Sequence, residues 1–474
     1  MPLGQLLIDN DLLTPPQLDD ARQHMKNAGC TLVESLVALG SVNQPELESF
    51  LDQAPFASGE ISESGLSAQF LMSFIMKTMY AAGADTAPKI VEITKLSPGV
   101  VNTVLEDAKQ RRYLEVIGLA DSRRSIFTYS MTEAGRRIAT DAMEQSSYWG
   151  PAPVPFDEWQ RQVLKQAIGR DRATPETVHA ALGHLVLPPA VMRRLGPATN
   201  SGRAILLYGE PGNGKTSIAE AIGRAFSQAI FIPYCVEISG QIIRIFDDAV
   251  HSELEPVRGQ DARWVRCRRP VVVTGGELTI EMLDLSFDAV TKTYEAPAHV
   301  KATGGVFIAD DFGRQRVRPE DLLNRWMIPL DRRVDYLTLH TGKKVQIFFD
   351  ELIVFSTNSR PGDLMDSAGL RRIPYKFEIE PPTAEDYAEI FRRLALAHKL
   401  ELPTEVLRYL FDEFYPRTGV EISCAHPRFL IDAMLERARF EDRPPRIDLM
   451  QVYDAVHSLV VTGAPPEPSE LPAL

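Results

Sequence analysis

The residues best suited to chemistry form one eight-residue loop near the middle of the chain. They are Gly209, Glu210, Pro211, Gly212, Asn213, Gly214, Lys215 and Thr216. Glycines let the backbone turn its N–H groups around phosphate oxygens, the lysine can reach the β- and γ-phosphates, and the threonine hydroxyl can hold Mg²⁺. Residues 204–208 before the loop fit a strand, and residues 217–226 after it fit a helix. The pattern predicts a P-loop that binds ATP and Mg²⁺, with a plain glycine turn as the alternative.

Two later strands end in polar side chains that would complete such a site. Asp310 and Asp311 follow the apolar residues 306–309, and Asn358 follows a second apolar strand. We expect Asp310 to hold the Mg²⁺ shell together with Thr216, and Asp311 to orient an attacking water. The uncharged amide of Asn358 is expected to hydrogen-bond the γ-phosphate or that water. Paired acids also cap helices, but the upstream loop favours the catalytic interpretation.

Length and charge limit the class of protein. A chain of 474 residues exceeds one hydrophobic core, so about two to four domains are expected. The net charge of −13 argues against a nucleic-acid surface that covers the whole chain. The acidic start differs from a signal peptide, and apolar runs are too short for a membrane span. Four scattered cysteines fit reduced thiols, so we expect a cytoplasmic protein.

The first 55 residues contain an internal repeat. Its apolar positions Leu3, Leu7, Ile8, Leu13 and Leu18 recur as Leu32, Leu36, Val37, Val42 and Leu47. The spacing predicts two helical units that bury their apolar faces on each other. The segment LGQLLIDNDLLTPPQL resembles the N-terminal module of type II secretion and type IV pilus assembly ATPases, some of which bind cyclic di-GMP. Eight acidic side chains against two basic ones over residues 1–54, and Pro2 where nucleotide-binding versions have arginine, favour protein docking over cyclic di-GMP.

Residues 66–147 are expected to form a second small domain. Ser97 begins a predicted helix, strands follow near residues 114–117 and 125–131, and MTEAGRR opens another helix. This order resembles a winged helix-turn-helix, which can bind DNA or a protein. Nine basic and seven acidic side chains over residues 85–140 leave both partners open.

The order of motifs from about residue 180 to 462 resembles that of the AAA+ ATPases. The resemblance implies a multidomain α/β fold: an AAA+ P-loop core over 180–380, with a parallel sheet between helices, and an all-α lid over 381–462. It assigns Walker A to the loop 209–216, Walker B to Asp310 and Asp311, sensor 1 to Asn358, the arginine finger to Arg371 or Arg372, and sensor 2 to Arg428. In this family the finger reaches the neighbouring subunit, so a homo-oligomer, usually a hexameric ring, is implied.

Insertions within the predicted core suggest a clade. Residues 236–305, with a hairpin-like stretch at 271–277, and a hairpin over 332–349 resemble insertions of MoxR-type, chelatase-type and sigma-54 activator ATPases, which use them to contact substrates. Aromatic side chains there serve either as contacts or as packing, namely Tyr294, Tyr336 and Phe348. Asp311 departs from the family, where most members have glutamate, so slow hydrolysis is an alternative.

The remaining segments complete the expected organisation. Residues 148–179 are rich in proline at their start and predict a linker, and residues 463–474 predict a disordered tail. His251 lies near two aspartates but lacks further ligands at usable spacing, so a solvated surface position is expected. The sequence therefore predicts an AAA+ ATPase that remodels or assembles an unidentified protein partner. The alternatives are a DNA-acting regulator and a slowly hydrolysing ATP-gated scaffold.

Overall fold

The computed structural model describes residues 7–8, 12–28, 32–43, 54–57, 59–121, 126–460 and 464–468. Its helices are α1 Pro15–Ala28, α2 Leu32–Ala38, α3 Ala68–Ala82, α4 Ala87–Thr94, α5 Pro98–Gln110, α6 Glu133–Gln145, α7 Phe156–Lys165, α8 Pro175–Leu182, α9 Pro189–Asn200, α10 Lys215–Arg224, α11 Ala298–Lys301, α12 Pro319–Arg332, α13 Pro361–Leu364, α14 Ser367–Arg372, α15 Ala384–Ala397, α16 Thr404–Arg408, α17 Tyr415–Thr418, α18 Ala425–Phe440 and α19 Leu449–Val456. Its strands are β1 Leu114–Asp121, β2 Ile126–Met131, β3 Val154–Pro155, β4 Ile205–Tyr208, β5 Ile230–Pro233, β6 Cys235–Ile238, β7 Gln241–Arg244, β8 Trp264–Cys267, β9 Val271–Thr274, β10 Ser286–Asp288, β11 Thr293–Glu295, β12 Val306–Ala309, β13 Val334–Thr338, β14 Lys344–Phe348, β15 Leu352–Thr357 and β16 Tyr375–Glu378. The repeat positions Leu3 and Leu47 and the hairpin tip 122–125 lie outside the described residues.

The N-terminal repeat buries its apolar positions in one small cluster. The members that match the predicted repeat are Leu7, Leu13, Leu18, Leu36 and Val42. The predicted burial is therefore confirmed for these five positions. Helix α1 begins after Thr14, whose N–H and hydroxyl both donate to Gln17 Oε1, at 2.9 and 2.7 Å.

The second domain has three helices, an antiparallel hairpin and a final helix. Ser97 Oγ accepts from the Val100 N–H at the start of α5, and Thr132 Oγ1 accepts from the Gly135 N–H at the start of α6. Strands β1 and β2 pair antiparallel between these helices. The predicted order of helix, helix, hairpin and helix is present, while its interpretation as a winged helix stays a prediction.

The core of the chain is a five-stranded parallel sheet in the order β16-β4-β15-β12-β9. Alternate residues of its strands pack on opposite faces: Ile205 and Val354 face helix α10, whereas Leu206 and Phe355 face α12. Burial on both faces explains why these strands are continuous apolar runs rather than alternating ones. Because all five strands run in one direction, the residues that follow them meet at one edge of the sheet. The mixed α/β fold with a parallel sheet between helices is confirmed.

A second sheet, in the order β10-β11-β7-β6-β3, combines strands of the insertion over residues 236–305 with β3, which precedes the core. One core strand divides this insertion, because the stretch 271–277, expected to be hairpin-like, contributes β9 to the core sheet. The segment 148–179 also differs from the predicted linker: Val154 pairs with Val236, and Trp159 and Val163 are buried in the core of the insertion. Bulky apolar side chains at helical spacing in α7 outweigh the proline signal that precedes them.

The second domain is attached to the insertion by buried polar contacts. Arg263 is buried, pairs with Asp261 at 2.7 Å, and donates through Nη1 to the carbonyl oxygens of Ser64 and Pro153, both at 3.2 Å. These two carbonyls belong to the segments that enter and leave the second domain. The buried guanidinium therefore joins both chain connections to the insertion.

The C-terminal lid is all-helical and has its own apolar core, which includes Tyr387, Phe391, Leu430 and Val452. Tyr409 Oη donates to the Pro466 carbonyl at 2.8 Å, so the first part of the tail expected to be disordered lies against the lid. Among the helices of the described ranges, none is long and apolar enough to cross a membrane.

Candidate nucleotide-binding site

The predicted phosphate loop connects β4 to α10 at the carboxyl edge of the core sheet. Its backbone has left-handed φ values at Gly209, Gly212 and Gly214, which are 140°, 78° and 83°. A Cβ atom at Gly209 would lie 2.3 Å from the Ile379 carbonyl oxygen, so this position accepts only glycine. The N-terminus of α10 follows the loop directly, and its free N–H groups and positive dipole end favour a phosphate there.

Lys215 and Thr216 are the first residues of α10. Lys215 contacts the loop, and Thr216 contacts Asp310 directly after β12. Lys215 Nζ is held at 2.9 Å from the carbonyl oxygens of both Gly209 and Glu210. Burial lowers the pKa of this ammonium group, and the nearby Asp310 and Asp311 oppose the shift. Thr216 Oγ1 donates to Asp310 Oδ2 at 2.9 Å. The two oxygen atoms predicted to hold Mg²⁺ are thus in direct contact, although they lie far apart in sequence.

Asp311 leaves strand β12 with an unusual backbone. Its φ is 51°, in the left-handed region that residues other than glycine seldom adopt. The turn is held on both sides, because the Asp310 N–H donates to the Thr274 carbonyl and the Phe312 N–H donates to that of Ser356, both at 2.8 Å. This change of direction at the strand end leaves the Asp311 side chain exposed at the cleft.

The lid closes the site from the opposite side and contacts the phosphate loop itself. Ser423 Oγ donates to the Gly212 carbonyl at 3.0 Å, and the Cys424 N–H donates to Asn213 Oδ1 at 3.4 Å. Arg428, the predicted sensor 2, lies one turn into α18 and lines the same cleft with a largely exposed side chain. Sequence motifs gave no indication of the Ser423 and Cys424 contacts.

A cleft of about 880 Å³ collects these residues. The predicted side chains that line it include Lys215, Thr216, Asp310, Asp311, Asn358 and Arg428. Apolar side chains also line the cleft, namely Leu185, Val186 and Leu187 ahead of α9 and Ile390 and Leu394 of the lid, and we call them its apolar end. The charged Arg393 of the lid lines the cleft as well. Sequence analysis missed this apolar end. The run 185–187 before two prolines was a visible signal, but nothing local shows that it faces α15.

The two arginines predicted as alternative fingers have different environments. Arg372 donates through Nε to Asp331 Oδ2 at 3.1 Å and through Nη1 to the Ala368 carbonyl at 2.9 Å, and its side chain is 13% exposed. Arg371 is exposed and makes no hydrogen bond or ion pair with the part of the chain that the structure describes. Neither residue lines the cleft of its own chain. Arg371 is thus the one whose guanidinium is available to another molecule.

Comparison with known proteins finds a partial match to an AAA ATPase. A 144-residue stretch is 28% identical to a protein of Corynebacterium jeikeium (strain K411) described as an AAA ATPase forming ring-shaped complexes. This part of the chain is similar to an AAA ATPase. The match covers 29% of this chain and about a quarter, 27%, of that relative. A family model described as a domain of unknown function, DUF8689, matches residues 383–458, which form most of the helical lid.

Two solved structures resemble the chain more distantly. NtrX from Brucella abortus in complex with ATP has 13% identity and a TM-score of 0.37, over 57% of this chain and 55% of that one. The Thermotoga maritima RuvB Holliday junction branch migration motor has 14% identity and a TM-score of 0.32, over 57% of this chain and 67% of that one. Conclusions about chemistry therefore depend on the residues of this chain.

The prediction of a solvated His251 needs correction, and the structure decides between the two alternatives for Tyr294. His251 is buried rather than solvated: Nδ1 accepts from the Asp247 N–H at 2.9 Å, and Nε2 lies 2.8 Å from the Lys301 carbonyl. Burial lowers the pKa of this imidazole, and no cluster of three or more His, Cys, Asp or Glu side chains suited to a metal ion occurs among the residues with described positions. Tyr294 is also buried and hydrogen-bonds His340, so it serves packing.

The predicted hairpin before sensor 1 is confirmed as β13 paired antiparallel with β14. It does not project freely, because Leu337, Leu339, Val345 and Ile347 on one face are buried against the insertion. Phe348 is half-buried in the same cluster. Of the three aromatic contacts considered from the sequence, Tyr336 alone is well exposed, at 42%. A contact by this hairpin would therefore use only its outer face.

Proposed function

We propose that this chain is an AAA+ ATP hydrolase that works as an oligomeric ring and uses ATP to remodel or assemble a protein partner. One observation carries the proposal: a single cleft brings together Lys215, the Thr216–Asp310 pair, Asp311 and Asn358 at the carboxyl edge of a parallel sheet. These groups match the needs of phosphoryl transfer to water, which is mostly positioning and charge stabilisation.

The phosphate end of the cleft supplies donors and metal ligands. The loop N–H groups and Lys215 would bind the β- and γ-phosphates. Thr216 Oγ1 and Asp310 Oδ2, 2.9 Å apart, fit a Mg²⁺ ion as hard oxygen ligands. When bound, Mg²⁺ would neutralise charge on the transferred phosphoryl group. Asn358, at the end of the adjacent strand, adds a donor without adding charge.

Asp311 is the group suited to orient the attacking water. Its carboxylate is one methylene shorter than the usual glutamate, and the left-handed backbone at this residue sets where it points. A water held farther from the γ-phosphate would react more slowly, because catalysis depends steeply on the approach distance. This residue favours a second candidate, an ATP-gated scaffold that hydrolyses slowly.

The apolar end of the cleft fits the base of the nucleotide. Leu185 and Leu187 of the core and Ile390 and Leu394 of the lid provide opposite apolar walls. A base bound between them would hold the lid against the core, and Arg428 on the same lid would sense the γ-phosphate. Loss of that phosphate would release the lid, which is how hydrolysis would produce movement.

The exposed Arg371 supports assembly, since its guanidinium is free to reach a neighbouring subunit. The C. jeikeium relative is described as forming rings, which is consistent with a homo-oligomer here. We propose a hexamer, the usual stoichiometry in AAA+ proteins, with Arg371 acting on the ATP of the adjacent chain.

The second domain is proposed to contact protein rather than DNA. The exposed face of α5, which would be the recognition helix of a winged helix, carries Glu106 and Asp107. Nearby cations are already paired with these acids, Lys109 with Glu106 at 2.7 Å and Arg111 with Asp107 at 2.8 Å. DNA phosphates would meet acids there and few free cations.

The acidic N-terminal repeat is proposed as a further docking module rather than a cyclic di-GMP site. Its resemblance to secretion and pilus ATPases suggests a partner in such a system. We place the protein's action in the cytoplasm, where ATP is available.

The test combines ATP turnover with assembly. With Mg²⁺ and ATP, the wild-type protein should release phosphate and form rings detectable by light scattering. Lys215→Ala should lose ATP binding, and Asp311→Asn should bind ATP, assemble and turn over at least tenfold more slowly. Glu380→Gln, which changes an exposed carboxyl group outside the cleft, is the matched control. Wild-type turnover by Asp311→Asn would contradict the catalytic assignment.

The scaffold alternative gives a different pattern. It requires negligible wild-type turnover, ATP-driven assembly, and no gain in rate from Asp311→Glu. A partner can then be sought with Asp311→Asn, since an ATP-bound ring that does not turn over should retain the partner it engages.

A further inference from the structure

A second cleft, of about 770 Å³, lies between the end of the second domain and the insertion sheet. Its lining includes Trp149, Tyr234, Phe246, Arg244 and Asp248. It shares no lining residue with the nucleotide cleft. None of the motifs identified in the sequence accounts for it.

Backbone contacts fix the walls of this cleft. The Ser147 N–H donates to the Thr291 carbonyl at 3.0 Å, and Ser147 Oγ donates to the Val290 carbonyl at 3.2 Å. On the same segment, Tyr148 Oη donates to the Pro151 carbonyl at 2.9 Å. The segment 147–151 is thus held on the insertion, so that the cleft is formed before any ligand arrives.

The walls are aromatic. Tyr234 and Phe246 pack edge to face, with ring centroids 5.3 Å apart, and form one side. Trp149 remains 48% exposed, whereas the other three tryptophans of the chain are almost completely buried, namely Trp159, Trp264 and Trp326. A half-exposed indole beside two aromatic rings offers a surface on which a flat or cationic group can stack.

The charges around the cleft favour a cation. Asp247 and Glu295 already share Lys301, at 2.7 and 2.5 Å, and Arg244 lies 3.8 Å from Glu295. Asp248 is exposed and has no hydrogen bond or ion pair with the described residues. An anionic ligand such as a phosphate would therefore meet three carboxylates and one exposed arginine. A cationic ligand would instead find an unpaired carboxylate close to exposed aromatic surface.

We propose that this cleft binds a short basic peptide segment of a protein partner, with an arginine or lysine side chain stacked on Trp149 and paired with Asp248. A volume of about 770 Å³ accommodates several residues of an extended segment rather than a single small cation. The inference rests on the proposed function only for the idea that the ligand is a protein partner.

The same ion pairs connect this cleft with the AAA+-like core. Lys301, which pairs with Asp247 and Glu295, ends α11. Strand β12 follows shortly along the chain, and Asp310 comes directly after it. A bound peptide that paired with Asp247 or Glu295 would weaken their ion pairs with Lys301 and so affect the segment 301–305 that precedes β12.

The probe is an acetylated and amidated hexa-arginine peptide, added without nucleotide to the full-length protein. Because Trp149 is the one exposed tryptophan, quenching of tryptophan fluorescence by acrylamide reports on this cleft. Peptide binding should reduce the quenching. Asp248→Asn should weaken binding, measured by anisotropy of a labelled peptide, about fivefold, and Trp149→Ala about three- to tenfold. Both side chains are at the surface, so the variants should keep the wild-type unfolding temperature.

The matched control is Glu401→Gln, which removes one exposed lid carboxylate and should bind the peptide as the wild type does. This control separates the cleft from general attraction to an acidic protein. Equal affinity of Asp248→Asn and Glu401→Gln, or protection of Trp149 by hexa-glutamate, would overturn the proposal. Equal protection by spermine would overturn the peptide assignment. Since no ATP is present, failure here leaves the proposed hydrolysis untouched, and loss of turnover leaves this binding untouched.

Discussion

The sharpest prediction separates the two adjacent arginines at the end of α14. Arg372 is used within its own chain, where it contacts Asp331 and the Ala368 carbonyl. Arg371 is exposed and has no partner among the described residues. We therefore expect Arg371→Ala to abolish turnover with little effect on folding, and Arg372→Ala to lower stability while most turnover remains.

The magnitudes differ enough to be resolved. Loss of an arginine finger lowers the rate by ~10³–10⁵, which corresponds to about 4–7 kcal/mol of activation free energy. Removal of Arg372 costs one ion pair and one hydrogen bond. Because Asp331 is 51% exposed, solvent weakens that pair, and the free energy of unfolding should fall by about 1–2 kcal/mol.

Phosphate release at saturating ATP measures the first effect, and urea unfolding monitored by circular dichroism measures the second. Mixing Arg371→Ala with Lys215→Ala should restore part of the activity, because some interfaces then combine an intact loop with an intact finger. The reverse pattern, in which Arg372→Ala loses turnover at unchanged stability and Arg371→Ala keeps it, would refute this assignment.

Two further predictions concern the contact between lid and loop and a buried acid. A Cβ atom at Gly212 would lie 2.4 Å from Ser423 Oγ, whereas one at Gly214, with a similar φ, would meet nothing within 4 Å. Gly212→Ala should therefore have a free energy of unfolding about 1 kcal/mol lower than that of Gly214→Ala, as measured by urea titration. Equal free energies of unfolding would show that the lid moves away from the loop without cost. Burial raises the pKa of Asp350 to about 6. The folded protein then holds a proton that the unfolded chain releases near pH 4, so the free energy of unfolding falls by roughly 3 kcal/mol as pH rises from about 4 to 6. Asp350→Asn should lack this fall. If the free energy of unfolding of Asp350→Asn, measured by urea titration, differs from that of the wild type by the same amount at every pH from about 4 to 6, the prediction is wrong.

The sequence by itself predicted which residues would come together around the glycine-rich loop, and the structure places them in one cleft. Residues 209–216 are contiguous, so their backbone requirements appear as local glycines beside a lysine and a threonine. The strands before Asp310 and Asn358 are recognisable as apolar runs, because a strand buried on both faces of a parallel sheet needs apolar side chains at consecutive positions. Parallel strands then place their following residues at one edge, which is why these distant side chains could be grouped correctly.

Only the tertiary structure decided what depends on contacts between distant segments. Leu187 of the core and Leu394 of the lid line the same cleft, and Ser423 of the lid hydrogen-bonds the loop, although no local sequence pattern relates these residues. Sequence alone does not distinguish Arg371 from Arg372. Only the structure shows that Asp331, on another helix, forms an ion pair with Arg372. Residues 148–179 likewise form a strand and helices rather than a linker, because Trp159 is buried against the insertion. Local sequence specifies backbone conformation and side-chain chemistry, but burial and pairing are properties of the neighbours that the fold supplies.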